Sequence, residues 1–252
     1  MTSMPVSEYS KELFNTACER TIQKEHSQNG IGTLKEKTLH AVLKNFYEPD
    51  ISCHEIKIGR FVADILHENQ VVEIQTRNFN SMRKKLDNFL KLYTVTIVYP
   101  IVYTKWLYWI DETTGEISSK RKSPKRGCFY DAFYELYKIK TYLTNPQLHI
   151  CLTLVDAEEY RILNGWSKDK KKGATRFDRI PVGLVDELYI NSIDGYLQLI
   201  PDTLPVQFGT KDYAKHTHTS IKNAQLALNI FKYIGIIEHT GKDGRSFLYS
   251  IK

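Results

Sequence analysis

Apolar residues recur along this chain with two different periods, and the switches between them mark out its elements. Over residues 6–25 the spacing of Tyr9, Leu13, Phe14, Cys18 and Ile22 predicts a helix. The sequence Gln-Asn-Gly-Ile-Gly breaks it. A second helix is expected from Thr33, which precedes Glu36 by three residues in a capping-box pattern. Leu34, Thr38, Ala41 or Val42, and Phe46 would form its buried stripe, and Pro49 would close it. The period then falls to two, predicting strands over 53–58, 60–66 and 71–76. A helix over 80–93 presents Met82, Leu86, Phe89 and Leu90, and is followed by a nearly continuous apolar strand over 94–103. A hairpin over 104–120 turns at Glu112 to Gly115, before a helix over 130–144 and a strand over 148–156.

Beyond Asp156 the pattern loosens, so residues 161–192 are expected to connect two domains. Regular spacing returns in the tail, with a short helix at Lys211–Lys215 and a second at Ser220–Ile234. Thr219 is the expected cap of the second, with Gly235 as its stop. Two strands bracket Gly-Lys-Asp-Gly. Helix, turn, helix and hairpin together predict a winged helix-turn-helix over 193–252. Ile221, Ala224, Leu228, Phe231 and Ile234 should face its core. Ser220, Lys222, Asn223 and Gln225, with Asn229, should lie open on the second helix, and Lys242 and Arg245 on the wing. Such amides and cations suit base edges and phosphates. The expected organisation is an N-terminal helical segment (1–30), an α/β core (31–160) carrying the hairpin, the connector and the tail.

Composition narrows the class. The 252 residues hold no apolar run near the roughly 18 needed to cross a membrane, and the first thirty lack an apolar signal core. Cys18, Cys53, Cys128 and Cys151 are scattered without a C-x-x-C pair, which predicts reduced thiols, no zinc site and a cytoplasmic protein. The formal charge of +6 is uneven. Lys120, Arg121, Lys122, Lys125 and Arg126 fall within seven positions, and a second basic run spans 167–176. Either run is a solvated loop or a surface for a polyanion. The aromatics of Tyr-Thr-Lys-Trp-Leu-Tyr-Trp (103–109) suit base stacking or packing on the core equally. His40 and His54 read as ordinary helix and strand residues, and His216 and His218 as a solvated turn.

One cluster calls for chemistry. Successive strand residues alternate between faces, so Glu73 and Gln75 share a side, and Asp64 on the preceding strand comes alongside if the hairpin is in register. Carboxylates that close repel unless a cation lies between them. Mg²⁺ or Mn²⁺ meets that need with oxygen ligands, completing its shell with water and a substrate phosphate. An Asp on one strand, nine residues before Glu-x-Gln on the next, in an α-β-β-β-α-β order, resembles the PD-(D/E)XK nuclease superfamily, whose pattern ends in Lys. The resemblance covers roughly residues 31–156. It implies a restriction-endonuclease-like mixed sheet, with Asp64, Glu73 and the Ile74 carbonyl holding the metal. Gln75 stands in the lysine slot, as it does in some active restriction enzymes. Glu36 occupies the place of an acid found on the first helix in several branches. The missing cation could come from the next helix, where Lys84 and Lys85 are candidates, and Arg77 could touch the phosphate. The implied activity is metal-dependent cleavage of DNA, by a homodimer or with a partner subunit for both strands. An inactive DNA-binding regulator and a subunit of a transposase or defence complex are the alternatives.

Overall fold

A computed structural model describes residues 6–28, 38–164 and 173–252. Thr33, Leu34, Glu36 and the 167–172 part of the second basic run lie outside the described residues. Two helices come first, α1 (Glu8–Gln28) and α2 (Thr38–Tyr47). Leu39, Val42 and Leu43 supply the buried side of α2, where a 3.6-residue period places them together. Three strands follow: β1 (His54–Ile58), β2 (Phe61–His67) and β3 (Gln70–Ile74). They form an antiparallel meander. A 3₁₀ turn (Phe79–Met82) leads into α3 (Arg83–Phe89), and β4 (Thr94–Asp111) returns parallel to β3.

The 80–93 helix is thus shorter than the periodicity predicts. The chain leaves it after Phe89, and the Tyr93 amide donates back to the Phe89 carbonyl. The 130–144 helix is broken into a 3₁₀ turn (Phe129–Ala132), α4 (Phe133–Leu136) and a second 3₁₀ stretch (Tyr137–Tyr142), with Ile139 off helical geometry. Large rings explain the irregularity. Phe133 makes edge-to-face contacts with both Phe231 and Tyr213, so tertiary packing sets the backbone there rather than propensity.

The largest correction concerns the sheet. The hairpin is no insertion: β4 runs without interruption through 104–111, turns at Gly115 (φ +72°), and pairs with β5 (Arg121–Lys122). Likewise β6 (Leu148–Leu163) continues past Asp156, and β7 (Thr175–Ile190) pairs antiparallel to it. Within 161–192, expected as a connector, residues 161–163 and 175–190 are therefore core strand. Their alternation is obscured by charge: Glu159 is buried in strand β6, and Arg161 and Arg179 neutralise it. The result is a mixed seven-stranded sheet in the order β1-β2-β3-β4-β6-β7, with β5 also on β4.

Helices cover both faces. On one side α1 and α2 pack Phe14, Leu39, Val42 and Leu43 against Ile65, Ile74, Val98 and Val155. On the other, Phe79, Leu86, Phe89, Phe133 and Leu136 pack against Val71, Val95, Ile97 and Ile150. The tail joins this second layer. It consists of α5 (Thr210–Thr217), α6 (Ile221–Ile234) and the hairpin β8 (Ile237–Asp243) and β9 (Ser246–Ile251). Its Tyr213, Leu228 and Phe231 belong to the same apolar cluster as Phe133. Ser220, not Thr219, caps α6, accepting from the Asn223 amide at 3.2 Å, and Gly235 ends it at φ +87°. Ile221, expected in the core, is exposed, and Asn223, expected on the open face, is buried. Among the described residues, no helix is long and apolar enough to cross a membrane.

Candidate functional site

The strand register creates the acidic cluster. Ile65 pairs with Val72 and Leu66 with Val71, so one step further along Asp64 comes level with Glu73. The Ile74 amide seals that arrangement by donating to Asp64 Oδ2 at 2.8 Å. Asp64 Oδ2 also lies 3.2 Å from His40 Nε2, on α2. His40, which its position in the sequence does not single out, is thus part of the cluster. Only the docking of α2 across β2 brings the two together.

Glu73 is almost wholly buried at 2 % exposure. Both of its carboxylate oxygens accept from Lys85 Nζ, at 2.8 and 2.6 Å. The cation absent from the slot after Glu73 therefore arrives from α3. Lys85 supplies it, while Lys84 is exposed. Gln75 sits just beyond the end of β3; its backbone amide donates to the Val98 carbonyl at 2.9 Å and its side-chain amide donates to the Arg77 carbonyl. That side chain is turned along the chain rather than onto the two acids.

The two acids are held in different protonation regimes. Burial would raise Asp64, but the hydrogen bond and charge of His40, the Ile74 amide and the charge of Lys85 outweigh it, leaving Asp64 below the usual carboxylate range. Glu73 is pushed up to about 7 by burial and by the charge of Asp64, with Lys85 opposing. A buried acid next to an ionised one gains from a nearby cation. Two carboxylates are also the donor set that Mg²⁺ commonly takes from a protein, the rest of its shell being water and phosphate. Asp64 and Glu73 fit that role once Lys85 yields one Glu73 oxygen. Glu36 lies outside the described residues.

The basic residues divide into distinct groups. Lys120 pairs with Glu158 at 2.7 Å and lies 4.7 Å over the Trp106 ring, and Lys122 lies 6.0 Å from the same ring. Arg126 donates to the Tyr103 hydroxyl at 3.3 Å and covers its ring, while Arg121 and Lys125 are exposed. Lys122 pairs with Trp106, nine residues along β4 from Ile97, the partner of Glu73. At ~3.3 Å per residue this hairpin stands about 30 Å from the acids along the strand.

Another group escapes a reading by runs. Arg161 and Arg179 grip Glu159 from two sides, with nitrogen–oxygen distances of 2.6 Å each, and Lys105 lies 3.7 Å away. Arg176 stands beside them, its charge disfavoured by burial and by Arg179, with Arg77 also contributing. These cations are far apart in sequence and meet only through pairing of β4, β6 and β7. The detectable sign is charged residues alternating along both long strands.

In the tail, Lys222 and Gln225 are exposed on α6, and Lys242 and Arg245 on the hairpin. The Ser220 hydroxyl is committed to its cap and lies 3.2 Å from the Tyr134 hydroxyl. Asn223 Nδ2 donates to the Tyr130 carbonyl at 2.8 Å, and Lys140 Nζ donates to Asn229 Oδ1 at 2.9 Å. One flank of α6 is thus fastened to the segment around α4.

Comparison with known proteins adds family but no activity. A protein of Treponema pallidum (strain Nichols), described as "Uncharacterized protein", is 26 % identical over 226 residues, covering 87 % of this chain and 86 % of that one. No solved structure matches. The family model described as "Domain of unknown function (DUF8091)" matches residues 37–191, a stretch that includes His40, Asp64, Glu73 and Lys85. With more than half of its length matched, the chain belongs to that family.

Proposed function

We propose that the protein is a metal-dependent nuclease acting on DNA, with Asp64, Glu73 and Lys85 at its centre. The observation that carries this reading is the placement of Lys85 on the carboxylate of Glu73, beside Asp64. An acid pair and a lysine, the three chemical parts of the resembled nuclease site, are assembled although the lysine comes from a different element. The α2-β1-β2-β3-α3-β4 order, with β3 and β4 parallel, supports a restriction-endonuclease-like core. The sequence α5, α6, β8, β9 supports a winged helix.

Asp64 and Glu73 would hold Mg²⁺ or Mn²⁺, with the Ile74 carbonyl as the further ligand that the resemblance implies. Such an ion supplies charge to the scissile phosphate and lowers the pKa of a coordinated water. His40 fixes the orientation of the Asp64 carboxylate. Lys85 keeps positive charge at Glu73 and stands ready to hold a proton or a phosphate oxygen there. Gln75 is left to orient a water by hydrogen bonding, after releasing the Arg77 carbonyl. Arg77, three residues past Ile74, would receive the backbone beside the acids, Arg176 and Arg179 would extend that basic surface, and Lys222, Gln225, Lys242 and Arg245 would hold a further stretch.

Supercoiled plasmid with Mg²⁺ or Mn²⁺ tests this. Nicking or linearisation should occur with the native chain and fall at least ~100-fold in Asp64→Ala, Glu73→Gln and Lys85→Ala, in line with the cost of losing one electrostatic catalytic group. A native chain that binds DNA but cuts neither strand with either ion would overturn catalysis. It would favour the regulator, in which Lys85–Glu73 is a structural ion pair, or a subunit that cuts only with a partner.

A further inference from the structure

Away from the two acids, a different set of side chains converges where α2 ends. Glu48 follows α2, Cys53 closes the 3₁₀ turn Ile51–Cys53, and His67 ends β2. One donor atom from each lies within 4.8 Å of the other two, and among the described residues this is the one His/Cys/Asp/Glu trio so closely gathered. His67 Nδ1 is 2.8 Å from Glu48 Oε2 and 4.0 Å from Cys53 Sγ. Around a tetrahedral Zn²⁺, bond lengths of about 2.0–2.3 Å require ligand separations of roughly 3.3–3.6 Å. The two observed separations bracket that range, so small side-chain adjustments suffice.

The loop carrying the donors is built rather than loose. The Asp50 amide donates to Glu48 Oε1 at 2.9 Å, leaving Oε2 to face His67. The Ser52 amide donates to Asp50 Oδ1 at 2.9 Å, and the Cys53 amide to the Asp50 carbonyl at 3.1 Å. His54 Nε2 lies 2.8 Å from the Glu48 carbonyl. The Glu48 side chain is only 14 % exposed whereas that of His67 is 59 % exposed, so an ion would enter past the imidazole with water completing its shell.

We propose that Glu48, Cys53 and His67 bind a thiophilic divalent cation, Zn²⁺ by donor chemistry, as a clip between α2 and β2. Thiolate and imidazole select such an ion over Mg²⁺, which prefers oxygen. Binding takes the thiol proton to solvent, and the imidazole keeps its own on Nε2. The clip would act on the His40–Asp64 contact without touching it. His40 lies near the start of α2 and Asp64 at the middle of β2, so tying Glu48 to His67 holds that second contact in register. The spacing 48, 53, 67 contains no C-x-x-C, so a search for that pair passes over it. This inference does not rest on the nuclease reading.

CoCl₂ titration of the reduced full chain tests it, followed by competition with ZnCl₂. A thiolate-to-Co²⁺ charge-transfer band should appear in the native chain and in Asp64→Ala, saturate at one equivalent, and be displaced by ZnCl₂. Cys53→Ser should abolish the band, and His67→Gln should weaken binding by more than the ~10–100-fold that loss of an outer-shell partner costs. ZnCl₂ should raise Tm in the native chain and not in Cys53→Ser. Absence of the band, its survival in Cys53→Ser, or cobalt binding that is lost only in Asp64→Ala would each overturn the site.

Discussion

Glu159 shows most clearly what a single buried residue does here. Burial alone would raise its pKa, yet the hydrogen bonds and charges of Arg179, Arg161 and Lys105 bring it to about 2. A carboxylate depressed on folding stabilises the protein above its unfolded pKa near 4.5, and that contribution disappears as pH falls through about 2. Denaturant midpoints measured between pH 6 and pH 2 should therefore fall in the native chain. In Glu159→Gln the decline should be shallower, from a lower starting stability, because the arginines lose their counter-charge. Unchanged pH dependence in the variant would show that other carboxylates control the acid limb. That Asp64 and Glu73 are neighbours was legible from alternation once the hairpin's register was assumed. Glu159 was not, because a charge at a buried strand position looks like the end of a strand until its partners on β6 and β7 are known. His40 escaped for a related reason: its role depends on docking between elements, which spacing within one helix does not encode.

Among the elements, α6 is the most instructive. Its length, its glycine stop and most of its buried stripe follow from sequence, but the burial of its first turn does not. The expected stripe of Ala224, Leu228, Phe231 and Ile234 is buried, while in the first turn Ile221 is exposed and Asn223 is drawn inward by its bond to the Tyr130 carbonyl. Asn223→Ala should cost about 1–3 kcal/mol in urea unfolding by leaving the Tyr130 carbonyl without its donor. At a temperature where both variants remain folded, Lys222→Ala should weaken DNA binding and Asn223→Ala should not. The reverse result would mean that α6 lifts away from α4 when DNA is bound. The short pieces around α4 and the early end of α3 were illegible for a different reason. Helical propensity is a weak term, and the packing of Phe133 between Tyr213 and Phe231 overrides it.

At the scale of the molecule, the expected pair of domains becomes one packed body. Phe133, Leu136 and Ile139 share a cluster with Tyr213, Leu228 and Phe231, and β7 occupies much of the sequence assigned to a connector. A chain ending at residue 192 would expose that apolar layer. It should bind a hydrophobic dye, unfold with a lower and broader transition, or aggregate, whereas the full chain should unfold in one cooperative step. Two separate calorimetric transitions in the full chain would refute a shared core. The mixed α/β character was legible because strand and helix periods differ so plainly; the length of the sheet was not, because β4 and β6 change from apolar to amphipathic halfway along.

That change of character has a consequence for how the chain tolerates altered length. Past the end of β3, β4 and β6 form an arm whose side chains keep a two-residue alternation, with Tyr108 stacked on Tyr160 at 4.8 Å. Within such an arm, growth or shrinkage is quantised: two residues preserve which side every ring and cation occupies, and one residue exchanges them all. The chain already contains one odd step. From Val102 to Lys105 β4 advances three positions while β6 advances two, from Val155 to Ala157, and the Thr104 amide rests on the Asp156 carboxylate at 2.9 Å. This bulge offsets the arm's phase from that of the strands holding Asp64 and Glu73, so a two-residue change in the arm's length should leave those strands in register.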